Sequence, residues 1–258
     1  MKPCLSFRAA AAALLGAGAL ALAAIVPAAA ISPSERPEIE KIIKEYLLEN
    51  PEVLRDAMIE LQRRQAAAEA KERAQAVQTN KALIFDSPRG VVVGNRNGDV
   101  SVVEFFDYNC GYCKRALDDM MTMMQADPKL KFVLKEFPVL GPGSLDAAKV
   151  AIAVRMQDKS GTKYLDFHRR LLGTRGEANR ERALAAAKDS GLDMAQIEKD
   201  LKSEEIDATL LESVQLADAL GISGTPSYVI GSEVIVGAVG LTALKEKVNT
   251  ARCGKATC

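Results

Sequence analysis

The chain has 258 residues, 34 Lys and Arg against 34 Asp and Glu, 48% apolar residues and a single histidine. That length supports one large domain or two small ones, and a balanced charge with no long basic run excludes a nucleic-acid-binding surface. With His168 alone, a multi-histidine metal site is excluded, and a Ser/His/Asp set is open only if His168 serves it.

Lys2 and Arg8 give a positive start, Ala9 to Val26 is an Ala/Leu-rich apolar stretch, and Ala28-Ala29-Ala30 supplies small residues for cleavage. Together they predict a secretory signal over residues 1–30, cut near Ala30. Cys4 lies too far upstream to become a lipid-anchored first residue. The mature chain then carries Cys110, Cys113, Cys253 and Cys258 into an oxidising compartment.

From Glu38 to Leu61, Ile39, Ile42, Ile43, Tyr46 and Leu47, then Leu54, Ala57, Met58 and Leu61, recur at helical spacing. Asn50-Pro51 divides them, with Asn50 the expected N-cap of a second helix and Pro51 its first residue. Two short helices have little core of their own and must bury their apolar stripe on the main domain or on another subunit. Residues 62–82 thin to alanines among charges and predict a solvated spacer, helical or flexible. The period then changes. Val91 to Val93 and Val100 to Phe106 predict strands, Cys113 to Met124 a helix and Lys131 to Phe137 another strand, a β-α-β start that indicates an α/β fold. Residues 144–220 read as a helical block with Asp193 and Gln196 as a capping box. Strands return at Ser227 to Ile230 and Glu233 to Val236, and Leu241 to Ala251 closes with a helix.

The strongest chemical signal is Cys110-Gly111-Tyr112-Cys113 between a strand and a helix. Free peptide N–H groups and the helix dipole at that point favour negative charge on the first sulfur, so Cys110 is the expected nucleophile. Cys113, one turn on and facing inward, can expel a mixed-disulfide partner by re-forming the internal bond. Half a zinc site and a permanently closed structural disulfide are the alternatives for a lone C-x-x-C, but no second pair of similar spacing is near, and the pair opens a helix after a strand in a secreted α/β pattern, which favours redox chemistry. Gly224-Thr225-Pro226-Ser227 opens a late strand. A cis Thr225–Pro226 bond would hold its backbone beside the cysteines, leave Thr225 free to pair with an extended substrate, and deny the sulfurs to metal.

With Val-Val-Glu-Phe-Phe-Asp-Tyr-Asn-Cys-Gly-Tyr-Cys, Phe-Pro-Val-Leu-Gly-Pro-Gly-Ser and Gly-Thr-Pro-Ser-Tyr-Val-Ile-Gly, the chain resembles the DsbA-like, thioredoxin-fold thiol–disulfide proteins of the bacterial periplasm. Tyr-Leu-Leu-Glu-Asn-Pro-Glu-Val-Leu in the leading segment is similar to the suppressor-of-copper-sensitivity C subfamily. The resemblance implies a thioredoxin fold over residues 83–251 with a helical insertion at 144–220, a leading helical oligomerisation segment at 31–61, a charged spacer at 62–82 and a tail at 252–258. It implies Cys110 as nucleophile, Cys113 as resolving thiol and Pro226 as the cis proline, with no cofactor and no metal. It also implies a homo-oligomer, in some relatives a trimer although others are monomers, that meets unfolded or misoxidised secreted proteins and a membrane thiol reductase.

Gly111-Tyr112 and Thr225 resemble the isomerase pattern of the family, where its strong oxidase has Pro-His and Val. The lost histidine removes a cationic donor to the Cys110 sulfur and makes the pair less oxidising. A protein disulfide isomerase is therefore the expected activity. A thiol oxidase with the same residues and a copper-sequestering protein are the rivals. Glu104, six residues before Cys110 among apolar neighbours, would be desolvated and could take the proton of Cys113. In the family a buried acid stands at the matching place, and Lys135 matches a lysine that pairs with it. The plainer alternative is a solvated Glu and Lys at strand edges. Met120, Met121, Met123 and Met124 invite a Cu(I) reading, but Leu117, Met120, Met121 and Met124 follow helical spacing from Cys113 and read as core. His168 reads as a helix-face residue, and Cys253 with Cys258 as a structural disulfide in the tail.

Overall fold

The structure, a computed structural model, describes residues 32–258. The secretory signal expected at residues 1–30 lies outside the described residues. The described residues divide into two compact units at Met58, the second being Ile59–Cys258. In the first, α1 (Arg36–Glu49) has proline in its opening turn and buries none of its residues. Ile42, Ile43, Tyr46, Leu54 and Met58 are each at least half exposed. α2 (Pro51–Thr79) follows directly and stays helical through the charged stretch. Asn50 does not cap α2 through its side chain. Its side-chain amide and its backbone N–H both donate to Tyr46 O, at 2.9 and 2.8 Å, and so close α1. The reason is local: the last carbonyls of α1 lack helical partners, and the Asn50 amide supplies one.

The second unit continues with α3 (Lys81–Phe85), β1 (Val91–Gly94), β2 (Val100–Phe106), α4 (Gly111–Ala126) and β3 (Leu130–Glu136). Five helices follow: α5 (Pro142–Gln157), α6 (Thr162–Leu172), α7 (Arg180–Asp189), α8 (Met194–Asp200) and α9 (Glu204–Ala219). β4 (Ser227–Ile230), β5 (Glu233–Val236) and α10 (Gly240–Cys253) complete it. The strands form one sheet in the order β1-β3-β2-β4-β5. β2 and β3 run parallel and every other pair antiparallel, so α4 is the crossover that a parallel pair requires. This is the α/β arrangement read from the sequence, with the helical block α5–α9 between β3 and β4.

β2 is central, and its β-branched and aromatic residues are buried on both sides. The strand period of two divides them. Val102 and Phe106, with Phe132, Leu134, Tyr228 and Ile230, pack among residues of α4, α6 and α10. Val103 and Phe105, with Val133 and Val229, pack against Val77, Ile84, Leu216 and Leu220. Each such fully buried Val or Phe contributes roughly 1.5–3 kcal/mol over its exposed state. Half of the expected capping box forms: Asp193 accepts from Ala195 N and Gln196 N. The Gln196 side chain turns away to Asp200, because Asp193 N is already bound to Gln157 Oε1.

Candidate active site

β2 ends at Phe106, Asp107 to Asn109 form a turn, and Cys110 is the N-cap residue of α4. Its extended backbone (φ −75°, ψ 113°) suits that position, and its N–H donates to Asp107 O at 3.1 Å. The Cys110 sulfur accepts from Cys113 N at 3.3 Å, and its thiol donates to Thr225 O at 3.2 Å. A helix terminus that aims a free amide at a sulfur offers the environment a thiolate needs. Cys110 and Cys113 are both free thiols, 5% and 0% exposed. Thr225–Pro226 is a cis peptide just before β4, the strand paired with β2, and the Thr225 carbonyl stands at the Cys110 sulfur. Beside them Tyr112 is exposed, with the Arg115 guanidinium over its ring at 4.3 Å.

Burial pushes the Cys113 thiol well up, and the neighbouring Cys110 and Glu104 add to the rise against an opposing bond to the Asp107 backbone. Such a thiol stays protonated until a base takes its proton. Glu104 on β2 lies opposite Tyr228 of β4 and is 4% exposed. Burial, with a smaller contribution from the charge of Asp119 on α4, pushes its carboxyl up to about 8. It is no solvated edge residue.

The expected Glu104–Lys135 pair does not form, which corrects the sequence reading. In the parallel register Lys135 stands opposite Phe105, whereas Glu104 stands opposite Leu134. The strand period therefore puts the two side chains on opposite faces of the sheet. Lys135 Nζ donates instead to Glu212 Oε1 of α9 at 2.9 Å and to Leu83 O at 2.8 Å. The reason for setting Lys135 beside the thiols is gone.

His168 lies on a helix face, as expected, and that face of α6 is buried; burial lowers the imidazole to about 3. Its Nδ1 lies 3.2 Å from the hydroxyl of Tyr108, two residues before Cys110. Tyr164 donates to Glu136 Oε1 at 2.6 Å, and the Tyr108 hydroxyl reaches both Tyr164 and Glu136 at 3.4 and 3.5 Å. Burial pushes Glu136 well above the ordinary carboxylate range despite these bonds. The sequence reading also missed Asp107. Its buried carboxylate accepts from Asn109 N, Ser144 Oγ, Val139 N and Leu140 N at 2.7–3.0 Å. Its only sequence signal is a polar Asp-Tyr-Asn between an apolar strand and a cysteine, which looks the same as a surface turn.

Met120 is buried in the core and Leu117, Met121 and Met124 pack against it, as their helical spacing indicates, and Met123, outside that stripe, is buried as well. Among the described residues no group of three or more His, Cys, Asp or Glu is placed to hold a metal ion. Cys253 and Cys258 are bonded to each other at the end of α10. Chemically, the site offers one thiol at a helix terminus, a second thiol sheltered one turn on, and an unpaired buried acid behind it. That set can attack a disulfide, release a mixed disulfide and move the second thiol's proton.

Comparison with known proteins gives two family matches: a DSBA-like thioredoxin domain over residues 101–249, and a copper resistance protein ScsC N-terminal domain over residues 35–68. A solved thioredoxin-like oxidoreductase from Silicibacter pomeroyi DSS-3 is 42% identical, covering 67% of this chain and 98% of that one with a TM-score of 0.63. The thiol–disulfide exchange protein α-DsbA2 from Wolbachia pipientis is 34% identical, covering 70% and 97% with a TM-score of 0.65. Among curated relatives, the Na(+)/H(+) antiporter NhaA 1 of Salinispora arenicola is 27% identical over 171 residues, 66% of this chain. The chain spans only 26% of that antiporter's length. Among the described residues no helix is long and apolar enough to cross a membrane.

Proposed function

The chain belongs to the family of DSBA-like thioredoxin domains, and from that premise we propose that it is a thiol–disulfide oxidoreductase of the periplasm acting mainly as a protein disulfide isomerase. The observation that carries the reading is the Cys110 sulfur at the N-terminus of α4, within 3.2 Å of Thr225 O, with Cys113 sheltered beneath it. The Cys110 thiolate attacks a non-native disulfide of a secreted client, giving a mixed disulfide and one free client thiolate. That thiolate attacks a second disulfide of the client, and the client thiolate it displaces attacks the client sulfur of the mixed disulfide, closing a new client bond and releasing the Cys110 thiolate. When it fails to, Cys113 attacks Cys110 Sγ, the client leaves reduced, and the Cys110–Cys113 disulfide must be reduced by a membrane thiol reductase. Glu104 takes the Cys113 proton in that rescue. Thr225 O stands at the sulfur, and the Thr225 backbone is where an extended client segment pairs. Gly111-Tyr112 and Thr225, in place of the oxidase residues, support isomerisation over net oxidation.

The exposed apolar residues of α1, with the match of residues 35–68 to the ScsC N-terminal domain, support assembly of several copies through residues 31–61. Refolding assays decide between the two activities. Rescue of scrambled ribonuclease, lost in Cys110→Ser, is expected; oxidation of reduced ribonuclease without rescue of the scrambled form would make the protein an oxidase. A version starting at Leu83 is expected to sediment as a smaller particle and to lose more isomerase than insulin-reducing activity. Unchanged subunit number would remove the assembly role.

A further inference from the structure

The turn that carries Cys110 is fastened to a segment far away in sequence. Asn109 Nδ2 donates to Ala178 O and to Ser144 Oγ, both at 2.9 Å, and Asn109 Oδ1 accepts from Ala178 N at 2.6 Å. The side-chain amide thus pairs with Ala178 as a neighbouring strand would. One turn into α4, Lys114 Nζ donates to Thr174 O at 2.9 Å. Ala178 and Ser144 are each 1% exposed, so a partner lost by either would leave a buried polar group unsatisfied.

The segment they grip is itself held. Gly176 turns it with φ +87°, and Arg182 Nη1 donates to Arg175 O at 2.6 Å and Glu177 O at 2.9 Å. Gly143 in the first turn of α5 lies so close that a Cβ there would stand 2.9 Å from Ala178 O. On the other side of the turn, Ser144 Oγ donates to Asp107 Oδ1 at 2.7 Å, and Asp107 Oδ2 gathers Val139 N and Leu140 N. Asn109 therefore joins three separate chain segments at the residue immediately before the nucleophile.

We propose that Asn109 is a positioning residue for Cys110: its amide, locked to Ala178 and Ser144, fixes the turn so that the Cys110 sulfur meets the free amide of Cys113 and the carbonyl of Thr225. The proposal rests on the thiol-exchange reading above. A shorter side chain leaves the sulfur chemically intact but frees the turn, so the hydrogen bond from Cys113 N is held for less of the time. The reduced, anionic form loses most, since only it gains from an amide aimed at the sulfur.

The test follows the exchange of the Cys110–Cys113 disulfide with two glutathione molecules, giving the dithiol and one glutathione disulfide, in full-length wild type, Asn109→Ala and Ser144→Ala. Asn109→Ala is expected to lower the equilibrium constant for reduction by about three- to tenfold and to slow iodoacetamide alkylation of Cys110 at neutral pH by a similar factor. Ser144→Ala should move both in the same direction by about twofold, because Asn109 keeps Ala178. A lowered melting temperature with both quantities unchanged would make Asn109 a purely structural residue and overturn the proposal. Should Asn109→Ala not fold, Ser144→Ala decides on the same two readouts. If the wild type itself exchanges no faster than free cysteine, the functional reading falls; if the wild type exchanges and the variants match it, only the positioning role does.

Discussion

Glu104 and Lys135 sit on adjacent strands, one residue out of step, and both are almost fully buried. Their surroundings differ completely. On one face Lys135 joins a dense network: Glu212 also accepts from Ser87 Oγ at 2.6 Å and meets Arg89 Nη1 at 3.3 Å, while Glu205 meets Arg89 and Arg155. On the other face Glu104 faces Cys113, Tyr228 and Asp119, none of them a cation. Burial pushes Glu212 up, but Ser87, Lys135 and Arg89 outweigh it and hold it below its ordinary value. Nothing offsets burial at Glu104. A paired buried charge holds the fold together, and an unpaired one is kept near the pH at which it can give or take a proton.

The largest effect comes from breaking the paired face. Lys135→Met leaves Glu212 buried without its closest cation, and this should cost about 3–5 kcal/mol, a fall in melting temperature of roughly 10 °C for a chain of this size. Because Lys135 points away from the thiols, alkylation of Cys110 should stay within about twofold of wild type. Slowed alkylation with unchanged melting would return Lys135 to the thiol chemistry.

Glu104→Gln should act with the opposite sign. A carboxyl raised from 4.5 to about 8 binds more protons in the folded than in the unfolded chain between those values, so wild-type stability falls as pH rises through that window. The shift corresponds to at most about 5 kcal/mol, and relaxation of the site reduces the expected gain in the variant to roughly 2–3 kcal/mol above pH 8. Below pH 4.5 the two proteins should unfold alike. The same change should slow release of a mixed disulfide by Cys113 at least about tenfold, read by single-turnover kinetics. A variant that is no more stable at high pH would mean that Glu104 is paired or wet.

The sequence displayed one side of this comparison better than the other. Glu104 was legible because five apolar neighbours on one strand leave a carboxylate nowhere to go, and the cysteine motif and Thr225-Pro226 were legible because each is local. Lys135 misled because pairing depends on strand register, and a parallel register is set by α4 and by packing that no short stretch encodes. His168 was legible as a helix-face residue, but which face was not: its helix buries the side that meets Tyr108, and only the sheet tells which side that is. The Asp107–Ser144 and Asn109–Ala178 bonds join residues 37 and 69 apart, beyond any motif.

His168 gives a smaller, acid-side counterpart to Glu104. Burial lowers it to about 3, so between that value and 6.5 the unfolded chain binds the proton and the folded one does not. Stability therefore falls as pH drops through this window. His168→Asn should remove roughly 1–2 kcal/mol of that fall, taken as the wild-type minus variant difference at pH 4 against pH 7, which cancels the carboxylates common to both. The groups facing it are Tyr108, Tyr164 and, through them, Glu136, so the titration of no nearby cation intrudes. Equal pH slopes would mean that the imidazole is charged in the fold.

The smallest effect belongs to a pair with the same chemistry and no burial. Arg170 and Asp166 are one turn apart on α6, joined at 2.7 Å, with side chains 48% and 44% exposed. Their charges are as close as those of Lys135 and Glu212, but water competes for both and salt screens them. Asp166→Asn should shift the melting temperature by no more than about 1–2 °C, and less at high salt. A loss as large as that of Lys135→Met would mean that distance, and not desolvation, sets the worth of an ion pair here, and the contrast between the two faces of the sheet would lose its physical basis.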